Sequence, residues 1–158
     1  MSVENSLGKK LMNNNNKVRH NIEDIKVGDT YSFEVQITEK MMEEFAALSG
    51  DYNPLHMEEG FARHRGFPGR VVHGVLMVSL FSRLVGMHLP GENGFLQSIN
   101  VQFMAPVYLD DRVLVTGRVE QVSTAVNTVV IKSTIERIPM HEVLVRSKIQ
   151  VGFTSFKN

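Results

Sequence analysis

Apolar residues along this chain change period twice, and those changes mark out its elements. Tyr31, Phe33, Val35 and Ile37 alternate with smaller or polar side chains after a turn at Gly28-Asp29, which is the period-two pattern of a half-buried strand. Met41, Met42, Phe45 and Leu48 then recur at helical spacing, with Thr38 placed to cap the first turn and Ser49-Gly50 to end the last. Asn53-Pro54 bars continuation, so residues 51–56 read as a loop of defined shape, followed by a short helical turn around residues 58–63. Residues 63–70 gather glycine, proline and charge and read as a surface loop. From 71 to about 87 apolar residues fall on nearly every face, which predicts a helix surrounded by protein, stopped by Pro90-Gly91. Strand period returns at 99–103, 113–119, 128–137 and 142–153, at hairpin spacings that suggest an antiparallel meander. Helices followed by a run of strands predict the α+β class, most economically a curved antiparallel sheet wrapped around one long central helix.

Composition narrows this picture without redirecting it. At 158 residues the chain holds one domain of ordinary size. We place that domain at 22–158, with residues 1–21, which include a run of four asparagines and few large side chains, as a disordered tail. Seventeen basic and seventeen acidic residues cancel, so no whole-molecule field suits nucleic acid or an anionic membrane. The apolar run over 71–89 is broken by His73, Ser79, Ser82, Arg83 and His88, which are costly at a bilayer centre. Without an apolar leader-like stretch near the N-terminus, the expected location is the cytoplasm. Cysteine is absent, which removes disulfides, thiolate metal sites and thiol nucleophiles.

The candidate chemistry sits where the short helix ends. Asp51 and His56 lie five residues apart across a proline-shaped loop, close enough to converge on one water. Two titratable groups flanking a water suffice for general acid-base chemistry on it: one takes a proton from the attacking water and one delivers a proton to the acceptor. Negative charge that builds on a reacting oxygen needs donors aimed at it, and the start of the long helix at His73-Gly74 supplies free backbone N–H groups and a favourable dipole. Gly74 permits close approach of a ligand to that backbone. His73 reads as a hydrogen-bonding residue at the helix start rather than a catalyst. Arg63, Arg65 and Arg70 can meet phosphate groups of a ligand, or can simply decorate a solvated loop. No histidine outside this region has metal-ligand spacing, so neither a metal nor a redox cofactor is expected.

The run Leu48-Ser49-Gly50-Asp51-Tyr52-Asn53-Pro54-Leu55-His56, followed after five intervening residues by Ala62, resembles the signature of the MaoC-like (R)-specific enoyl-CoA hydratases. The segment from Val72 through His73-Gly74 to Ser82 resembles that family's central helix, and Pro106-Val107-Tyr108 to Gly117 the strand and turn that follow. The resemblance covers roughly 22–153 and implies the hot-dog fold. It also implies syn hydration of an enoyl thioester to an (R)-3-hydroxyacyl thioester, or the reverse dehydration, with Asp51 and His56 as catalytic pair and Gly74 at the oxyanion. It further implies that Ser79 hydrogen-bonds Asp51, that Asn53 shapes the loop, that coenzyme A or acyl carrier protein carries the acyl group, and that the chain forms a homodimer. Open sheet edges independently favour association. Two rival functions stay in view: a hot-dog acyl-thioester hydrolase, disfavoured because residues 71–87 contain no acid, and a non-catalytic acyl-CoA-binding module, for which neither Asp51 nor His56 would be needed.

Overall fold

A computed structural model describes residues 18–154. After a 3-10 turn at Ile22–Asp24 come β1 (Thr30–Gln36), α1 (Glu39–Ser49), α2 (Pro54–Met57), α3 (Glu59–His64) and α4 (Gly74–Met87), and then β2 (Gly94–Phe103), β3 (Arg112–Ser123), β4 (Thr128–Arg137) and β5 (Glu142–Phe153). The class is α+β, as the periods predict. Residues 1–17 and 155–158 lie outside the described residues, so most of the expected tail does too. Residues 18–21 do not behave as tail: Glu92 N donates to Val18 O at 2.9 Å, Arg19 bridges to Gly91, and Asn93 Nδ2 donates to His20 O at 3.1 Å.

The five strands form one antiparallel sheet in the order β1-β3-β4-β5-β2. Only β3, β4 and β5 follow one another as a meander, which corrects the expected run of hairpins. β2 pairs with β5 at the far edge because the link to β3 does not turn back on itself. Met104 N and Ala105 N donate to Leu144 O at 2.8 and 3.3 Å, and Val107 O accepts from Val72 N at 2.8 Å, so residues 104–107 are drawn across the end of the sheet toward the start of α4. Irregularities between Leu96 and Ser98, Val119 and Gln121, and Ile135 and Glu136 each displace the register, and such bulges bend and twist a sheet.

α4 lies against the concave face. Its sequence holds two glycines and three valines, poor helix formers, so packing rather than propensity holds it. Leu76, Met77, Leu80, Phe81, Leu84 and Val85 are buried against Val113, Val115, Ile131, Ile135 and Ile149, each such side chain contributing about 1.5–3 kcal/mol relative to exposure. The helix is not enclosed on all sides, contrary to the sequence expectation: Val75, 63% exposed, together with Ser79, Ser82 and Gly86 forms a bare stripe. Helix and sheet lie close at Gly117 of β3, where an added Cβ would stand 2.6 Å from Leu84 Cδ2 and 3.2 Å from Ile131 Cγ2. Leu84 is fully buried, so any shift it makes presses on the core around it. Gly117→Ala is therefore expected to lower unfolding stability by about 1–3 kcal/mol, read from urea midpoints at unchanged m-value.

Candidate active site

The end of α1 and the start of α4 meet through a series of short polar turns. Gly50, at φ 76°, closes α1 in the left-handed region and donates its N–H to Ala46 O at 2.8 Å. Ser49 Oγ donates to Phe45 O at 2.7 Å and accepts from Asp51 N at 3.2 Å. Asp51 Oδ1 accepts from Asn53 N at 3.2 Å, and Asn53 Oδ1 accepts from Leu55 N at 2.9 Å, capping α2 with Pro54 in its first turn. The expected loop over 51–56 is thus half loop and half capped helical turn, which raises His56 toward the next strand-like segment.

There His56 Nδ1 lies 2.7 Å from Val71 O. A carbonyl oxygen only accepts, so Nδ1 carries a proton, and in the neutral ring Nε2 then presents its lone pair. That Nε2 faces Asp51 Oδ2 at 3.9 Å, too far for a direct hydrogen bond and close enough for one water oxygen to reach both. The Asp51 side chain is 49% exposed and that of His56 16%, so solvent reaches the gap from the carboxylate side. Behind them His73, 1% exposed, donates from Nε2 to the backbone oxygen of Asp51 at 2.9 Å. Its ring stacks on His56 with centroids 4.0 Å apart and leans on Phe45 at 5.0 Å. His73 thus ties the start of α4 to the end of α1.

His56 and Gly74 open onto one cleft of about 360 Å³, walled further by Val71, Val72, Met77, Val145 and residues 103–107. Gly74 begins α4, and an added Cβ there would lie 3.0 Å from the Phe103 ring. No side chain caps this helix start and no acid stands in its first turn, so its leading N–H groups and dipole are left for something in the cleft.

The remaining expected residues are placed less centrally. Ser79 Oγ donates to Leu76 O at 2.6 Å on the bare stripe of α4, so the hydrogen bond to Asp51 that the resemblance implied is not made. Arg63 is engaged by Glu59 at 2.8 Å, and Arg70 by Glu39. Arg65 stands 5.1 Å from the Phe61 ring centroid and lines a shallow hollow with Asn53, Leu55, Phe61 and Phe67. None of the three arginines lines the main cleft. Asp51, His56 and His73 each offer a donor atom within 4.8 Å of the others, a metal-ligand grouping the spacing of the histidines did not suggest. His73 Nε2 is committed to Asp51 O, which leaves its Nδ1, buried without a hydrogen-bond partner, as the nitrogen that could serve such a group. Two parts of the site escaped sequence reasoning: the Val71 carbonyl that orients His56, and the wall at 103–107. Ala105-Pro106 signalled a turn, but nothing local signals which cleft a turn will border.

The family whose sequence model is described as MaoC like domain matches residues 23–138. The chain belongs to this family. An (R)-specific enoyl-CoA hydratase of Aeromonas caviae is 45% identical over 76 residues, 48% of this chain and 55% of that protein. An (R)-specific enoyl-CoA hydratase of Rhodospirillum rubrum is 36% identical over 99 residues, 63% of this chain and 69% of that one. A mitochondrial 3-hydroxyacyl-[acyl-carrier-protein] dehydratase of Arabidopsis thaliana is 38% identical over 90 residues, 57% of this chain and 53% of the relative. The matches to the Aeromonas and Arabidopsis proteins therefore span about half of their length. Among solved structures, an (R)-hydratase from A. caviae involved in PHA biosynthesis superposes with a TM-score of 0.80 at 28% identity, covering 84% of this chain and 99% of that one. The unliganded R-hydratase of Pseudomonas aeruginosa gives 0.79 at 25% identity, covering 85% and 86%. The fold of this MaoC-like domain is the hot dog.

The polar turns and the buried histidine of this MaoC-like site should differ in energetic weight. Asn53→Ala removes one cap and is expected to cost about 1 kcal/mol. His73→Ala removes a buried ring and leaves the Asp51 carbonyl unpaired, which is expected to cost about 3–5 kcal/mol, close to the change for losing a buried aromatic. Chemical denaturation of the two variants side by side checks the order.

Proposed function

We propose that this chain is a hydro-lyase that adds water to trans-2-enoyl thioesters to give (R)-3-hydroxyacyl thioesters, or runs the reverse dehydration. The observation that carries the proposal is the 3.9 Å gap between His56 Nε2 and Asp51 Oδ2, beside a cleft that ends on the uncapped start of α4. A water held in that gap meets one group able to take its proton as it attacks C3 and a second able to deliver a proton at C2. Gly74 and the first turn of α4 face the thioester oxygen and stabilise the enolate as charge builds on it. Both additions come from one side of the double bond in this reading, because both groups act from the single 3.9 Å gap between them. The names of the Aeromonas and Rhodospirillum relatives favour coenzyme A as the carrier, and that of the Arabidopsis relative favours acyl carrier protein. Arg65, whose guanidinium has no carboxylate partner among the described residues, is the better of the three arginines for a carrier phosphate, since Arg63 and Arg70 are held by Glu59 and Glu39.

A second copy of the chain is the expected partner. β2 leaves one edge unpaired and exposes Phe95, Leu96 and Phe103, and α4 presents the Val75-Ser79-Ser82-Gly86 stripe beside it. Unpaired edges and apolar surface of this kind are normally covered by association. The test is hydration of crotonyl-CoA followed at the enoyl absorbance, with chiral analysis of the product. Wild type should yield the (R)-3-hydroxy thioester, and Asp51→Asn and His56→Ala should each lower kcat by about 10²–10⁴-fold without abolishing folding. Release of free thiol from crotonyl-CoA and butyryl-CoA alike, with no hydration, would move the reading to thioester hydrolysis.

A further inference from the structure

The reaction proposed for Asp51 and His56 makes no use of the most completely paired ionic group in the described chain, which lies at the end of β4. The Arg137 side chain is 11% exposed and that of Asp111 16%. Arg137 Nε and Nη2 meet Asp111 Oδ1 and Oδ2 at 3.0 Å each, fork to fork, while Nη2 also donates to Pro106 O at 2.7 Å and Nη1 pairs with Glu142. Asp111 Oδ2 accepts from Tyr108 N at 2.8 Å, and the Asp111 backbone oxygen accepts from Ile37 N at 2.9 Å. A pair this buried must satisfy its remaining donors and acceptors, and Pro106 O and Tyr108 N, on one short connecting segment, do so here.

That segment leads to the site. Val107 O accepts from Val72 N at 2.8 Å, and Tyr108 forms an antiparallel bridge with Val71. Val71 N donates to Leu55 O at 3.2 Å and Val71 O accepts from His56 Nδ1 at 2.7 Å. We infer that the Arg137–Asp111 pair positions His56: by clamping residues 106–108 it holds the Val71 carbonyl where it fixes both the ring orientation and the Nδ1–H tautomer of the imidazole. The same clamp sets residues 103–107 as the cleft wall facing Gly74. Arg137 touches no substrate in this account and acts through the backbone alone. Burial works to lower its pKa, but the hydrogen bonds and charges of Asp111 and Glu142 outweigh burial and raise it, so Arg137 stays charged. The catalytic half of the inference rests on the hydration reading of the site; the tautomer half does not.

The experiment reads the two halves separately. Nitrogen-15 NMR of the imidazoles, with His56 assigned by His56→Gln, should give the Nδ1–H pattern for His56 in wild type. Arg137→Lys keeps the charge but cannot reach Asp111 and Pro106 together, and should show a mixed or averaged tautomer for His56 while retaining the fold by circular dichroism. Its kcat for crotonyl-CoA should fall by about ten- to a hundredfold, as a displaced catalytic group requires. Glu142→Gln, which leaves the fork to Asp111 in place, should match wild type in both readouts. If Arg137→Lys does not fold, Asp111→Asn takes its place under the same expectations, since its amide oxygen can still accept from Tyr108 N. A folded variant whose His56 signals equal those of wild type overturns the inference, whatever its rate. A changed tautomer with kcat within about twofold of wild type overturns the catalytic half. A changed tautomer in a protein that never hydrates an enoyl thioester leaves the positioning intact and removes the proposed function instead.

Discussion

The hydrogen bond from His56 Nδ1 to the Val71 carbonyl is the constraint on which the arrangement of this protein's site depends. It joins two stretches fifteen residues apart and does so with a group that has no protonation state to change. A carboxylate in that place would share a charge with the imidazole and couple its titration to its own. A backbone oxygen instead fixes tautomer and direction together, leaving Nε2 aimed at Asp51 with its lone pair free. The bond is only as good as the position of residue 71, and that position is set by pairing with Tyr108 and by Leu55, not by the identity of valine. The chemistry is therefore supported by an irregular backbone ladder outside the five-stranded sheet.

The parts of this arrangement that were legible in the sequence are the local ones. Thr38 accepts from Met41 N at 3.3 Å, Gly50 takes the left-handed conformation, and Asn53 caps a turn opened by Pro54, all within a few residues of the signals that announce them. The Arg63–Glu59 pairing was open to the same reasoning, since residues four apart on a helix face each other. The Arg70–Glu39 pairing was not, because its partners are 31 residues apart and meet only through the tertiary fold. The same limit explains the strand order: period-two patterns identify β2 as a strand, but nothing in residues 94–103 says that their neighbour is β5. Ser79 failed for a different reason. On an exposed helix stripe a hydroxyl bonds its own helix three residues back, and that near acceptor wins over a distant carboxylate.

The treatment of helix starts separates α4 from the other helices. α1 begins with a capping threonine and Glu39, α2 with a capping asparagine, and α3 carries Glu59 in its first turn. Each of these places an oxygen or a negative charge near the positive end of a helix, at a typical gain of about 0.3–1 kcal/mol for the charge and about 1 kcal/mol for the cap. α4 has neither, although it is the longest helix among the described residues and its stability depends on packing. His73, at the cap position, turns its Nε2 away to Asp51. A helix start left without its usual partners, opening on a cleft next to the Asp51–His56 gap, is a place where negative charge from outside the chain has no internal competitor. Thr38 at α1 and the bare start of α4 thus answer one physical problem in opposite ways, the first for folding and the second, on the proposed reaction, for an oxyanion that exists only while the substrate reacts.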